Sequence, residues 1–320
     1  TRWLYWRPWL WPSVPAEIIR LRNLARKSTP HLWLTYHSYY KAPDVLGPSV
    51  CRRLGLPYVI FQGIYSTKRR RRLKTLPGFL LNTKALRAAQ HVFTNRRSDL
   101  HNLRRIIPPD RLTYLPPGIR PEEFSCDPAA RERLRQEWGV GERPVVLSAA
   151  MFRPGVKAEG LAWVIRSCGR LHRAGIPLIL AIAGDGRERA RLMALGERHL
   201  PGRIRFAGKI ARERMHRFYS AGDLFAFPGI RESLGMVYLE SQSCGLPVVS
   251  FHNGGVPEVV ADGETGLLTP PFDAPAFDRA LAGLILDSRM RRDMGARAGD
   301  HIRRSHDIGK NYAGMEAILQ

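Results

Sequence analysis

From about Pro144 onward the chain alternates short apolar runs, rich in β-branched residues, with stretches whose apolar positions recur at helical spacing. That alternation is how a parallel α/β sheet reads, each run a buried strand and each stretch a crossover helix. Strands are expected at Val145–Ala150, Leu178–Ala183, Ile204–Ala207, Leu224–Phe227 and Val248–Phe251. Helices are expected at Leu161–Leu171, Glu188–Arg198, Arg212–Ala221, Leu234–Cys244 and Ala274–Leu286. Together they make one doubly wound domain. The first part repeats the style less clearly, with strands at Leu32–Tyr36, Tyr58–Phe61, His91–Thr94 and Leu112–Leu115 and helices at Ala16–Arg26, Leu80–Ala89 and Arg97–Ile106. It predicts a second α/β domain, incomplete at its start.

The stretch from Pro116 to about Arg143, rich in Pro, Gly and charge, is the expected linker, dividing the chain into 1–139 and 140–304. A lone helix at Ile308–Leu319, in a tail 305–320, is expected to pack back on the first domain. Two such domains would enclose a cleft between the carboxyl ends of their sheets, where open α/β folds bind ligands. The chemistry is therefore sought in loops that follow strands.

At 320 residues, 44% apolar and 25% charged, the chain can fill two cores, and wholesale disorder is excluded. Charge is the outlier: 51 Lys plus Arg against 28 Asp plus Glu leave +23, and residues 1–139 hold 26 of the basic and only 9 of the acidic side chains. An anionic partner fits. Only 8 of the cations are Lys, a bias that weakens any argument from arginine abundance alone. Cys51, Cys126, Cys168 and Cys244 are scattered and form no CxxC pair or His/Cys cluster. Neither a zinc site nor a disulfide framework is expected, and a reducing, cytoplasmic compartment fits. No apolar run approaches the roughly 20 residues of a membrane-spanning helix. The chain shows no signal peptide and begins at Thr1 rather than methionine, so the natural N-terminus is expected to lie upstream.

The densest constellation is Arg231-Glu232-Ser233-Leu234-Gly235-Met236-Val237-Tyr238-Leu239-Glu240, after the strand Leu224–Phe227 and its Pro228-Gly229 turn. A helix starting near Ser233 or Leu234 would offer free N–H groups and a positive dipole end to a diphosphate. Gly235 would let an anion approach the backbone. Glu240, inside that helix, could accept from a vicinal diol such as a ribose, and Glu232 could hold sugar hydroxyls. On spacing alone the bland alternative is favoured: Glu232 complements the dipole and Glu240 is a solvated helix residue.

The context reverses that weighing. In order come Ala183-Gly184-Asp185-Gly186, Phe206-Ala207-Gly208, Ala221-Gly222-Asp223-Leu224-Phe225-Ala226-Phe227-Pro228, and the pair Glu232 and Glu240 eight apart. Then follow Ser241-Gln242-Ser243-Cys244-Gly245-Leu246-Pro247, Gly254-Gly255-Val256-Pro257-Glu258 and Asp262-Gly263-Glu264-Thr265-Gly266. From Ile182 to Leu268 the chain resembles the C-terminal domain of family 4 glycosyltransferases, with their E-x7-E motif. The resemblance implies a GT-B fold, two Rossmann-like domains facing a central cleft, and a retaining transfer from a nucleotide-diphosphate sugar. It implies that Glu240 binds the ribose, that Glu232 binds the transferred sugar, and that Ser233, Leu234, Gly235, Met236 and Val237 face the donor. Met151 to Lys157 resembles the segment whose Arg153 and Lys157 neutralise the leaving diphosphate without a metal. The step after Lys157 reads Ala158-Glu159-Gly160, a departure from the family's Lys-Gly. Gly184 and Gly186 would border the nucleotide, and Lys209 and Ile210 would meet its base; a tight turn and a surface loop would read the same way.

The N-terminal domain offers less. Where the family usually has His-Gly at a strand end, this chain reads Phe61-Gln62-Gly63, and a glutamine can hydrogen-bond a hydroxyl but cannot act as a general base. His37 is a second candidate, though a lone His is more often structural. Lys68-Arg69-Arg70-Arg71-Arg72-Leu73-Lys74 is too dense for an average solvated face. It fits an anionic glycan, a phosphorylated lipid or an anionic membrane surface; a mobile basic loop is the alternative, and nucleic acid lacks a supporting motif. Trp3, Tyr5, Trp6, Trp9 and Trp11, interspersed with Arg2 and Arg7, suit either a lipid interface or a core surface left uncovered. The combined expectation is a metal-independent, cofactor-free glycosyltransferase of bacterial cell-surface polysaccharide or lipopolysaccharide assembly, peripheral at the inner membrane face. The alternative is a catalytically silent binder of nucleotide sugars or anionic glycans.

Overall fold

The computed structural model describes residues 8–320, and the chain divides into two compact units, Thr1–Leu115 and Pro116–Gln320. Arg2, Trp3, Tyr5, Trp6 and Arg7 lie outside the described residues. Trp9 and Trp11 are exposed.

The first unit runs α1 (Val14–Ser28), β1 (Trp33–Ser38), α2 (Gly47–Leu54), β2 (Tyr58–Gly63), α3 (Leu76–Ala88), β3 (His91–Thr94), α4 (Arg97–Leu103) and β4 (Leu112–Tyr114). Its four strands are parallel, in the order β1-β2-β3-β4. Ile60, Leu86, Val92 and Leu103 are fully enclosed between sheet and helices. Gly63 is fixed by this packing, since a Cβ there would come within 2.8 Å of Val92 and 2.9 Å of Leu86. β1 is an edge strand, and its Leu34 and Tyr36 stay exposed. Helix α2 was not expected; its start carries Pro48, and a buried Asp44 carboxylate accepts from the amides of Leu46 and Gly47.

The second unit runs α5 (Pro128–Glu137), β5 (Val145–Ala149), α6 (Val156–Arg173), β6 (Ile179–Ala183), α7 (Arg189–His199), β7 (Ile204–Gly208), α8 (Met215–Ser220), β8 (Leu224–Ala226), α9 (Met236–Ser243), β9 (Val248–Phe251), β10 (Gly266–Thr269), α10 (Ala274–Leu286), α11 (Ser288–Ser305) and α12 (Ile308–Leu319). Its six parallel strands are ordered β10-β9-β8-β5-β6-β7. Every residue of β5 and β6 is buried, as a parallel strand covered on both faces requires. Each enclosed Val, Leu or Ile there contributes about 1.5–3 kcal/mol. Strand order reverses between β5 and β8, so the crevice at their carboxyl ends is the topological switch point of this sheet.

One expectation is corrected. The boundary falls at Leu115/Pro116 rather than 139/140, because residues 116–139 belong to the second unit. Within the supposed linker Asp127 caps α5, accepting from the Ala130 amide, and Arg131 and Arg135 of that helix grip Asp223 at the start of β8. The tail helix α12 also belongs to the second unit. His306 donates from Nδ1 to the Pro117 carbonyl at 2.6 Å, Ile308 N donates to Ile119 O, and Asn311 reaches Pro116 O. Among the described residues no helix is long and apolar enough to cross a membrane.

Candidate functional site

The loops after β5, β6 and β7, with α8 and α9, enclose a cavity of about 580 Å³ at the carboxyl ends of the second sheet. Ala149 to Met151, Ala183 to Gly186, Lys209 and Ile210, Met215 and Tyr219, and Val237 and Glu240 line it. The loop glycines are dictated by close approach. Gly184 has φ 140°, and a Cβ on it would lie 1.9 Å from the Ala150 carbonyl oxygen; at Gly186 the clash would be with Phe152 O, at 2.6 Å. The two loops are then tied by Phe152 N to Asp185 O and Glu188 N to Phe152 O, both 2.9 Å. Gly184, Gly186, Lys209, Ile210, Val237 and Glu240, chosen from sequence, therefore meet in one place.

Glu240 is buried in α9, and its Oε2 accepts from the Tyr219 hydroxyl at 2.9 Å. Burial pushes its carboxyl up from the ordinary value, while the Tyr219 hydrogen bond and the Arg212 charge oppose that rise. Tyr219 is itself fully enclosed and its hydroxyl is pushed far up, first by burial and then by the Glu240 charge. Sequence reasoning missed the cavity walls Tyr219 and Met215, and also Arg212, which lines a second pocket with Glu123 and Phe124, because nothing in their spacing separates them from ordinary helix residues.

Glu232 lies on the turn between β8 and α9. Its Oε2 accepts from Lys157 Nζ at 2.5 Å and its Oε1 from the Ser233 amide at 3.2 Å. Lys157 stands in the first turn of α6 with its ammonium 5.3 Å from the centre of the Phe227 ring. The preceding Arg231 is in the left-handed region at φ 55°, a conformation that costs an L-residue about 1–3 kcal/mol and collects at functional turns. The backbone of Glu232 is clamped from the β9 side: Gly255 N donates to its carbonyl, and a Cβ on Gly254 would come within 2.2 Å of that oxygen. Helix α9 begins at Met236, after Gly235 at φ 70°, rather than at Ser233 or Leu234. Gly235 serves the turn and Tyr238, whose ring a Cβ would meet at 2.6 Å. Ser233, Leu234, Gly235 and Met236 are not among the cavity walls, and neither are Glu232, Arg153 and Lys157; Arg153 is exposed.

The family model for glycosyl transferases group 1 matches residues 130–301. The chain belongs to that family. Over 202 residues it is 35% identical to the GDP-mannose-dependent alpha-(1-6)-phosphatidylinositol monomannoside mannosyltransferase of Mycolicibacterium smegmatis, covering 61% of this chain and 52% of that protein. It is 30% identical over 213 residues to the alpha-D-kanosaminyltransferase of Streptomyces kanamyceticus, covering 66% and 54%. The chain thus spans about half the length of the curated relatives it matches. Among solved structures, HepE of Anabaena in complex with UDP superposes with a TM-score of 0.77 at 19% identity, over 94% of this chain and 81% of that one. WaaG, a glycosyltransferase involved in lipopolysaccharide biosynthesis, gives 0.67 at 19%, over 93% and 80%. The fold is therefore the two-domain parallel α/β architecture of the GT-B glycosyltransferases.

At the carboxyl edge of the first sheet, His37 Nδ1 and Gln62 Oε1 are 3.0 Å apart, and both residues have left-handed backbones, at φ 66° and 58°. The basic run forms two short turns tied by the Thr75 hydroxyl to the carbonyls of Arg69 (2.6 Å) and Arg72 (3.2 Å). Lys68 and Arg70 are exposed, while the Arg69 guanidinium lies 4.4 Å from the centre of the Tyr40 ring.

Proposed function

We propose that this chain transfers a sugar from a nucleotide-diphosphate donor whose nucleotide occupies the cavity of the second unit. The observation that carries the reading is Glu240: a buried carboxylate, half-satisfied by Tyr219, in the wall of a cavity at the sheet's switch point. It takes the ribose. Lys157 and Glu232 form the reacting end, with Glu232 on the sugar and Lys157, joined by Arg153, on the diphosphate. The transfer is retaining, with the leaving phosphate helping to take the acceptor proton on the same face. UDP in HepE and GDP-mannose dependence in the mycobacterial relative support this class of donor.

Glu240→Ala is expected to weaken nucleoside diphosphate binding by about 1.5–3 kcal/mol, roughly ten- to 150-fold, through loss of a charged acceptor. Unchanged affinity in calorimetry on folded protein removes Glu240 from the site. A silent binder would keep that affinity yet release no nucleoside diphosphate from any donor sugar.

No metal is required in this reading, because Arg153 and Lys157 supply the cations a diphosphate leaving group needs. Turnover is expected to survive chelator within about twofold; loss with chelator and recovery with magnesium or manganese would overturn it.

The acceptor is anionic, a glycan or lipid-linked sugar of cell-surface polysaccharide assembly, and the enzyme works at the cytoplasmic membrane face. The phosphatidylinositol-based acceptor in the mycobacterial relative's name is of this class. Lys68, Arg69 and Arg70, with His37, Gln62 and Gly63 nearby in the first unit, are its proposed contacts. Near an anionic surface each cation contributes about 1 kcal/mol. Replacing Arg69–Arg72 with serines is expected to raise the apparent acceptor constant and reduce binding to anionic liposomes, with donor affinity unchanged. Equal acceptor kinetics at low and high salt for both proteins would leave the run as a basic loop.

A further inference from the structure

The carboxylate of Glu240 has unequal oxygens. Oε2 is held from inside the fold by the fully enclosed Tyr219 hydroxyl at 2.9 Å. Oε1 faces the Arg212 Nε at 4.0 Å. Arg212 also reaches away from it: its Nη1 donates to Glu123 Oε2 at 3.2 Å, its guanidinium lies 5.3 Å from the centre of the Phe124 ring, and with these two residues it lines a second pocket rather than the walls of the nucleotide cavity. All five residues belong to the second unit. A separation of 4.0 Å is too long for a hydrogen bond, yet a single oxygen between the two groups can lie about 2.8 Å from each. A hydroxyl is the group that suits such a gap, because it donates through its proton and accepts through its lone pairs. A phosphate oxygen would be repelled by Glu240, and an ammonium by Arg212.

We propose that Arg212 is the second half of the ribose site, a specificity-determining residue that brackets one ribose hydroxyl with Glu240. The hydroxyl donates to Glu240 Oε1 and accepts from the Arg212 guanidinium. Tyr219 and Glu123 are positioning residues: the first turns Oε1 toward the ligand, the second holds the guanidinium back from collapsing onto the carboxylate. The inference rests on the reading that Glu240 meets the nucleotide ribose, and it adds a donor that discriminates a ribonucleotide from its deoxy analogues.

The test is calorimetric titration of a nucleoside diphosphate and its 2′-deoxy and 3′-deoxy analogues into wild type, Arg212→Gln and Arg212→Lys. The base is the one wild type binds best. Wild type should bind one deoxy analogue at least about tenfold more weakly than the ribonucleotide. In Arg212→Gln that ratio should fall to within about threefold, through weaker ribonucleotide binding, and Arg212→Lys should recover part of it. Arg212 is more than half exposed, and matching melting temperatures establish that the variants fold. A ratio unchanged in Arg212→Gln, or a wild type that treats all three ligands alike, overturns the proposal. Failure of the underlying reading looks different, since Glu240→Ala would then leave affinity for all three ligands intact.

Discussion

Lys157→Ala is expected to lower turnover of a nucleotide-sugar donor about 100- to 1,000-fold, the loss typical when one fixed donor to developing negative charge is removed. The ligand-free arrangement explains why the effect should fall on kcat more than on KM. The Lys157 ammonium already sits 2.5 Å from Glu232 and over the Phe227 ring, so binding a donor trades one anionic partner for another. The ground state gains little from that exchange. As the bond to the sugar breaks, charge grows on the diphosphate, and the cation becomes worth more. Lys157→Arg should recover part of the rate, because the charge is retained although the geometry of the Glu232 contact changes. Glu232→Gln is expected to act at the same place with the opposite electrostatic sign, loosening the ammonium while keeping a hydrogen-bonding side chain. Steady-state kinetics of the three variants decide the matter. A rate for Lys157→Ala within threefold of wild type would remove this lysine from the reacting end and leave the ion pair as a brace between the α6 start and the β8–α9 turn.

Why these residues could be named from sequence is physical. β5 and β6 announce themselves as continuous apolar runs because both their faces are covered. The expected spans Val248–Phe251 and Ala274–Leu286 coincide with β9 and α10, the latter opened by the Asp273 cap. What was illegible lacked that contrast. Helix α11 buries a narrow stripe, Met294, Gly295, Ala298, Gly299 and Ile302, in a sequence otherwise crowded with arginine, so its periodicity is hidden. Helix α5 hid in a stretch whose prolines and charges read as linker, although Pro128 stands at the first helical position, where proline is at home. β10, four residues long, passed as the end of a motif. In the site, the glutamates and glycines were legible through motif order, whereas the pairing of Lys157 with Glu232 spans 75 positions and that of Tyr219 with Glu240 spans 21. Neither follows from local spacing. His37 and Gln62 were named separately, and only the sheet brings their side chains together.

Asp223 marks where motif membership and function part. It sits in the Ala221-Gly222-Asp223 sequence that precedes β8, at the amino ends of the strands, opposite the cavity. Its Oδ1 takes Arg131 at 2.7 Å, and its Oδ2 takes both Arg135 at 2.9 Å and the Val145 amide at 2.8 Å. Burial pulls the carboxyl up, but the arginines and the amide outweigh it and hold the carboxyl below its ordinary value. The stability this contributes is present above the ordinary carboxylate range and lost as pH falls through the lowered value. Asp223→Ala would leave two guanidiniums with carbonyl partners but no counter-charge and a buried amide without its acceptor, where breaking a buried pair costs about 3–5 kcal/mol. The lower end applies, because Arg131 is about a third exposed and can turn to water. For a unit of this size, a loss of about 3 kcal/mol lowers Tm by roughly 6–12 °C. Nucleoside diphosphate affinity of the folded variant should stay within twofold of wild type, since the change lies at the far end of the sheet. Thermal melts paired with calorimetry below the lowered Tm separate the two quantities. An unchanged Tm would deny the clamp, and affinity lost from a protein that melts normally would place Asp223 in the site after all.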